Sequence, residues 1–219
     1  MTARLRKILP CLLGAAFGLA ALAGVFAAQG HAGSVDPRIG TGDDGHTFPG
    51  ATVPFGMIQL SPDTAMPDFK HAYNWAAGYQ YGDSSIMGFS HTHFSGSGHS
   101  DLGDVLVMPI TGDVRLKPSD PARPGSGYRS RFSHDSEVVQ AGYYAVTLDD
   151  YGVRAELTAG RRVGWHRYTF LVGKPAHVLL DLRPSIYDYA GKVLWSSLRV
   201  HGDGTVSREI GRASCRERV

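Results

Sequence analysis

Cysteine is almost absent from this chain of 219 residues, which contains only Cys11 and Cys215. Each lies near one end, so the residues between the two ends have neither a disulfide bond nor thiol chemistry. The sequence also lacks basic runs. The whole chain carries a net charge of +2, but residues 33–208 carry −2. A mildly acidic domain is a poor polyanion binder, so we expect no nucleic-acid partner.

Long hydrophobic runs are missing except for one near the start, Leu12 to Ala28. Three basic residues precede it, and Gly30-His31-Ala32 supplies a small-x-small cleavage site. Residues 1–32 are therefore predicted to be a signal peptide, which makes the mature protein exported, to the periplasm or beyond. A transmembrane helix is the alternative, although the run is short and rich in Gly and Ala. We expect no stable membrane anchor.

The last residues, 209–219, break the pattern of the chain. Three arginines and two glutamates crowd around the lone Cys215, and the string looks like a translated sequencing adapter. We interpret it as an assembly artefact that truncates a longer protein, with a genuine basic tail as the alternative. Residues 33–208 then form a single domain, long enough for one core.

No segment shows a long helical period, while 28 glycines and 12 prolines favour many tight turns. Strand candidates recur about every ten residues, which is typical of an all-β antiparallel sandwich. Pro62 is expected to end the first strand. Trp165 and Trp195 fall in regular strand patterns and are predicted to be core residues. The predicted strands are 53–60, 79–81, 86–93, 105–110, 128–133, 142–148, 153–158, 163–171, 176–182 and 194–200.

The glycines Gly40, Gly42 and Gly45 match the dinucleotide-binding fingerprint in spacing. That mechanism needs a helix after the glycines, which Pro49 and Pro54 forbid. A better interpretation is a loop in which glycine lets backbone N–H groups approach a ligand or a neighbouring domain. Plain turn chemistry remains an alternative.

His91 and His93 lie at the end of the predicted strand 86–93, where alternation places both imidazoles on one face, and His46 or His99 could complete a zinc set. The alternative is a pair of hydrogen-bonded histidines at a domain boundary, which we favour. We predict no metal within these residues. A histidine metal hydrolase stays open as a further hypothesis.

Trp75 is the strongest candidate for substrate contact, because an indole offers a flat apolar face and one N–H donor to a sugar ring. A core tryptophan is the alternative. Glycosidic cleavage ordinarily needs two facing carboxyl groups. The candidate aspartates mostly stand beside Gly, Ser or Pro and favour turn hydrogen bonding, as does the consecutive Ser133-His134-Asp135. These aspartates are Asp43, Asp44, Asp63, Asp68, Asp83, Asp101 and Asp104.

Three phrases between Gly45 and Pro109 carry a family resemblance: residues 45–64 (GHTFPGATVPFGMIQLSPDT), Ser90-His-Thr-His with Gly96, and residues 101–109 (DLGDVLVMP). With AELTA at 155–159 and HRYTF at 166–170, they resemble the N-terminal domain of the family 92 glycoside hydrolases, bacterial exo-acting α-mannosidases. The resemblance covers about residues 35–206. It implies a galactose-mutarotase-like supersandwich, incomplete at its C-terminal end.

The resemblance further implies that the catalytic acid and base come from a helical barrel that follows this domain, and that the family's calcium site lies there. It implies that His46, Gly50, Trp75 and Tyr79 line the pocket for a mannose-containing glycan. The predicted function is therefore the non-catalytic domain of a secreted inverting α-mannosidase, inactive as a fragment. The alternative is a stand-alone, secreted carbohydrate-binding sandwich without enzymatic activity.

Overall fold

The computed structural model describes residues 32–43, 45–64, 77–93, 95, 102–120, 123–182 and 193–212. The chain divides into two compact units, Met1–Asp36 and Pro37–Val219. The described part of the first unit contains one 3₁₀ turn, Ala32–Ser34. Within the described ranges, no helix is long and apolar enough to cross a membrane.

The described part of the second unit is built from strands and short 3₁₀ turns, without an α-helix. The 3₁₀ turns are Pro124–Ser126 and His134–Ser136. The strands are β1 (Ala51–Thr52), β2 (Gln59–Asp63), β3 (Ser85–Ile86), β4 (Gly88–Ser90), β5 (Leu106–Thr111), β6 (Ser130–Arg131), β7 (Val138–Gln140), β8 (Tyr143–Leu148), β9 (Val153–Ala159), β10 (Gly164–Phe170), β11 (Ala176–Asp181), β12 (Val193–Val200) and β13 (Val206–Arg212).

Two antiparallel sheets face each other across the core. One has the strand order β1-β2-β4-β5-β11 and the other β10-β9-β8-β7, while β3 pairs with β6 and β12 with β13. Strand β9 packs against β1, β2 and β5 of the facing sheet. The predicted all-β antiparallel sandwich is therefore confirmed.

The core forms from side chains that point to the inner face at every second residue of a strand. Along β9, Val153, Ala155 and Leu157 are fully buried, and the residues between them are half-buried or exposed. They meet Leu60, Phe89 and other apolar side chains of the facing sheet in one hydrophobic cluster. Period-two alternation is the pattern that a strand needs to bury one face. The predictions for β5 and for β8 to β11 are confirmed, with bounds shifted by at most one residue.

The first predicted strand, 53–60, is wrong in its bounds, since β2 begins at Gln59 and continues through Pro62. Strand β1 pairs only with Gln59 and Leu60, so among the described strands none lies beside β2 beyond Leu60 on that side. A proline is compatible with such a position because no ladder hydrogen bond on that side is lost.

The predicted strand at 79–81 is also wrong. The backbone N–H of Gln80 donates to the Thr64 hydroxyl (2.9 Å), and that of Tyr81 donates to the Thr41 carbonyl (2.9 Å). These partners are a side chain and a loop carbonyl, not a neighbouring strand. The segment therefore has satisfied backbone groups without sheet geometry.

Trp165 and Trp195 are exposed, at 56% and 54%, so their prediction as core residues is wrong. On β10 the half-buried side chains are those of His166, Tyr168 and Phe170, and alternation places Trp165 on the opposite face. Strands β7 and β13 were not predicted. Residues 209–212, which lie in the predicted adapter sequence, are the last residues of β13.

A chain of hydrogen bonds joins the two sheets through His91 and His166, whose Nε2 atoms lie 3.0 Å apart. His91 Nδ1 donates to the Val105 carbonyl at 2.9 Å, so His91 Nε2 must accept. His166 Nε2 therefore donates to it, and His166 Nδ1 accepts from the Tyr168 hydroxyl at 2.7 Å. Both rings are uncharged in this arrangement. Burial, with the neighbouring His91, lowers the pKa of His166 to about 3, and burial also lowers that of His91.

This pair predicts acid sensitivity. A histidine with a pKa lowered by folding binds its proton more readily when unfolded, so the stability it supports is present at neutral pH. That stability declines as the pH falls below about 6.5, the unfolded value, and continues to decline towards 3. We expect the urea-unfolding free energy to fall between pH 7 and pH 5, and to fall less in His166→Phe.

Tyr168→Phe is the matched control, because it removes one hydroxyl and leaves both imidazoles in place. It should lower stability at pH 7 and retain the pH dependence. Equal slopes of stability against pH in the parent protein and His166→Phe would show that the pair does not carry the effect.

Candidate functional site

The structure describes three of the four residues predicted to line a sugar pocket. His46 is half-buried on the glycine-rich loop, while Gly50 and Tyr79 are buried. Trp75 lies outside the described residues, so its contacts stay a prediction. The described three are held by the segments 40–50 and 77–80.

The glycine-rich loop is a compact turn in which glycine is required. The N–H of Thr47 donates to the Gly40 carbonyl at 3.1 Å, and the N–H of Gly45 donates to the Gly42 carbonyl at 3.1 Å. Gly40 has φ +79°, which glycine adopts without strain, and a Cβ on Gly45 would overlap the Gly40 backbone. His46 has φ +54°, which is uncommon for a residue with a side chain and fixes where its imidazole leaves the loop.

Gly50 is located where two backbone segments touch. A Cβ at this position would overlap the Leu60 carbonyl oxygen and the Ser61 side chain of β2. Close backbone approach is therefore a sufficient reason for glycine here. Two residues earlier in the same loop, the Phe48 ring packs on the His93 ring with centroids 5.2 Å apart.

A first buried polar cluster consists of Asp63, Ser90 and His93. His93 Nδ1 donates to the Gln59 carbonyl at 2.6 Å, and His93 Nε2 lies 2.9 Å from Asp63 Oδ1 and 3.1 Å from Ser90 Oγ. Because Nδ1 holds one proton, a second must lie between Nε2 and Oδ1. Asp63 and Ser90 meet the same ring nitrogen, so the three side chains do not form a nucleophile–base–orienter relay.

A second buried cluster is centred on Glu137, whose side chain is 0% exposed. Its carboxylate accepts from the Tyr79 hydroxyl at 3.1 Å, the Tyr144 hydroxyl at 2.5 Å and His134 Nδ1 at 2.6 Å. Burial, followed by the Glu137 charge, raises the pKa of both tyrosines. Tyr81 then stacks on the His134 ring with centroids 4.2 Å apart. The cluster is a fully bonded anchor for the tyrosine side chains.

Both clusters contact the segment 77–80. A Cβ on Gly78 would contact Asp63 Oδ1 and the His93 ring, so the first cluster needs glycine there. The next residue, Tyr79, belongs to the second cluster. Gln80 bonds to Thr64 through its backbone N–H. The segment 77–80, which follows Trp75 in the sequence, is therefore fixed to the sandwich.

Other sequence candidates have structural roles. Ser133-His134-Asp135 forms the predicted turn, with the Asp135 N–H donating to the Ser133 hydroxyl at 3.2 Å. His91 and His93 have different partners, because β4 ends at Ser90 and strand alternation does not extend to them. Among the described residues no three His, Cys, Asp or Glu side chains come together as a possible metal site.

Sequence reasoning did not single out Glu137, and it treated Asp63 only as a turn residue. One signal was available: a tyrosine buried in a core needs a partner for its hydroxyl. The tyrosines at 79 and 144 therefore required an acceptor. Which acidic residue supplied it depended on the packing of β7 against β8.

Comparisons with known proteins identify the family to which this sandwich belongs. The family model described as "Glycosyl hydrolase family 92 N-terminal domain" matches residues 34–214. The chain therefore belongs to glycoside hydrolase family 92 and corresponds to its N-terminal domain.

Solved structures agree with this assignment. A family GH92 α-mannosidase from Bacteroides thetaiotaomicron, in complex with mannoimidazole, is 42% identical with a TM-score of 0.73. The match covers 81% of this chain and 22% of that one. The GH92 glycosyl hydrolase ccman5 is 28% identical with a TM-score of 0.65, and the match covers 84% of this chain and 24% of that one.

A curated relative is similar over the same region. An uncharacterized secreted glycosidase from the fungus Arthroderma benhamiae is 29% identical over 188 residues. The match covers 81% of this chain and 23% of the fungal protein. The chain thus spans less than a quarter of the length of the fungal glycosidase.

The geometry at Gly50 predicts the effect of adding one methyl group. Gly50→Ala should lower the free energy of unfolding by about 2 kcal/mol, the usual cost of overpacking a close contact. Gly82→Ala is the matched control, because a Cβ at Gly82 meets nothing within 4 Å. Chemical denaturation of the two variants without ligand measures the difference. Equal stability of Gly50→Ala and Gly82→Ala would contradict the packing argument.

Proposed function

We propose that this chain is the sugar-facing, non-catalytic N-terminal domain of an exported, inverting α-mannosidase. The observation that carries the proposal is the match of residues 34–214 to the family's N-terminal domain. This chain also corresponds to less than a quarter of the length of each of the three relatives described above. The Bacteroides relative is an α-mannosidase solved with mannoimidazole, which supports a mannose-containing glycan as substrate. The fungal relative is named a secreted glycosidase, which supports export of this chain through a signal peptide at residues 1–32.

The hydrogen bonds of the two buried carboxylates, Asp63 and Glu137, favour a non-catalytic role for this domain. Inverting hydrolysis needs two carboxyl groups about 6.5 to 9.5 Å apart on opposite sides of the scissile bond. Asp63 is bonded to His93, and Glu137 accepts from three side chains, both beneath the surface. Buried carboxylates with these hydrogen bonds stabilise the fold and are not placed to exchange protons with a substrate. We assign the acid and the base to a helical catalytic domain of the longer enzyme, the partner of this sandwich.

The four predicted residues then divide by role. Trp75 and His46 contact the leaving sugar, the first by stacking and the second by a ring nitrogen. Gly50 and Tyr79 act beneath them, because both are buried and fix the two loop segments. In this proposal the domain binds and orients the sugar while other residues transfer the protons.

Calcium, which the family resemblance implies, does not fit the described residues. No three His, Cys, Asp or Glu side chains meet there, and calcium needs six to eight oxygen ligands. We place the calcium site in the catalytic domain of the longer enzyme and assign the described residues no part in binding it.

The first test of the proposal is a hydrolysis assay with the purified chain. We expect no turnover of an α-mannoside, with or without added calcium, because the acid and base lie elsewhere. Calcium-dependent turnover by the chain alone would refute the supporting role. Saturable mannose binding by the isolated chain, in an open reading frame without a catalytic domain, would favour the stand-alone binding module.

The second test uses the longer enzyme. Trp75→Ala should lower kcat/KM on an α-mannobiose by about tenfold, the equivalent of about 1.4 kcal/mol of lost stacking. A substrate with a small aryl leaving group should lose less, since the tryptophan faces the leaving sugar. Trp165→Ala is the control, because that indole is exposed on β10. Equal losses on both substrates would remove Trp75 from the leaving-sugar site.

A further inference from the structure

The turn between β1 and β2 presents an aromatic side chain on a strained backbone. The Gly56 N–H donates to the Val53 carbonyl at 2.9 Å, which closes a β-turn with Pro54 second and Phe55 third. Phe55 has φ +58°. A positive φ at the third position of a turn is normally met by glycine or asparagine, and a bulky side chain is strained there. The turn therefore carries a phenylalanine against its backbone preference.

The packing of the domain does not explain this phenylalanine. Phe55 is fully exposed, at 105%, so its ring gains no burial in return for the strain. Both the positive φ and the exposed ring cost the domain stability. Strain that persists without a structural benefit indicates a function, because the fold itself does not require it.

The turn that carries Phe55 is joined to a second exposed turn, between β9 and β10. The Met57 N–H donates to the Arg161 carbonyl at 2.8 Å. Met57 is 70% exposed and Val163 is 50% exposed, and Arg161 and Arg162 are exposed beside Val163. These five residues, Phe55, Met57, Arg161, Arg162 and Val163, are called the Phe55 patch.

The composition of the Phe55 patch is typical of a protein interface. Aromatic residues, methionine and arginine are enriched in interfaces, while aspartate, glutamate and lysine are depleted. The two turn segments, residues 53–58 and 160–163, contain two arginines and no aspartate, glutamate or lysine. Exposed apolar groups bordered by charge mark binding surfaces. The positive charge of these segments favours a partner that offers apolar and acidic groups.

Two observations select the partner. The match to this chain covers only 22%, 24% and 23% of the three relatives, so most of each relative lies outside this domain. In addition, β1 is two residues long, so the Phe55 turn begins about 10 Å from Gly50, at about 3.3 Å per residue. The segment 40–50 is proposed above to face the sugar. A domain that brings an acid and a base to that sugar therefore comes close to the Phe55 turn.

We propose that the Phe55 patch is the docking surface for the catalytic domain of the longer enzyme. The Phe55 ring enters an apolar pocket of that domain, and Arg161 and Arg162 face carboxylates at the rim of the pocket. Contacts between the domains then offset the strain at Phe55. The choice of partner rests on the proposed function, which supplies the catalytic domain.

Site-specific thiol labelling of the longer enzyme tests the docking surface. Phe55→Cys and Val172→Cys are matched, because both positions are fully exposed in this domain, at 105% and 103%. In the longer enzyme, we expect the thiol of Phe55→Cys to react with a maleimide at least tenfold more slowly than that of Val172→Cys. In the 219-residue chain the two should react alike. Peptide mass spectrometry reads each site separately, and equal rates in the longer enzyme would overturn the docking surface.

Phe55→Gly separates docking from folding. Glycine adopts a positive φ without strain, so the urea midpoint of the 219-residue chain should not fall. The midpoint of the longer enzyme should fall, because the contact between the domains is lost. A lower midpoint in the chain with no change in the longer enzyme would show that the ring serves the sandwich itself, and the proposal would be wrong.

A second copy of the chain is the alternative occupant of the patch. Sedimentation would then show a dimer of the 219-residue chain that Phe55→Gly dissociates, which would overturn the assignment to the catalytic domain. The labelling does not depend on hydrolysis. A longer protein that protects the Phe55→Cys thiol but cleaves no α-mannoside would refute the proposed function alone. An active enzyme with an unprotected thiol would refute the docking surface alone.

Discussion

The buried carboxylate of Glu137 is the interaction on which the arrangement of the chain around Tyr79 depends. A charge with no solvent exposure is tolerated only when its hydrogen-bonding capacity is filled. Here Tyr79, Tyr144 and His134 fill it. These donors come from an irregular segment, from β8 and from a 3₁₀ turn. One carboxylate therefore fixes three pieces of chain that regular sheet pairing does not connect.

Fixing the segment 77–80 has a functional meaning because of what precedes it. Trp75, proposed above to contact the sugar, comes shortly before it in the sequence, and a ligand-binding side chain is presented at a more constant position when the chain next to it is fixed. Glu137 bonds to Tyr79, and the Asp63–His93 pair packs against Gly78. Under the proposed function, these buried groups fix the chain next to Trp75.

The sequence predicted the sandwich where alternation governs the fold and failed where individual contacts do. Strand β9 alternates strictly, and its bounds were predicted within one residue. Trp165 has the same strand pattern around it, yet only the facing sheet decides which side of β10 is buried. Likewise, Pro62 is compatible with β2 because β1 is two residues long, a fact that no local pattern contains. Tertiary context overrides propensity at each of these places.

Around the candidate site, too, local sequence patterns failed where individual contacts decide, and here the reason concerns buried charge. Arg129 and Glu137 stand in sequence among polar and turn-forming residues, where charged side chains normally face solvent. Both are buried, but Glu137 has three donors and Arg129 keeps an unbonded edge. A buried charge whose hydrogen bonds are all made has a structural role, as Glu137 does. An unsatisfied one, such as the Nε–Nη2 edge of Arg129, instead costs free energy that the rest of the fold has to offset.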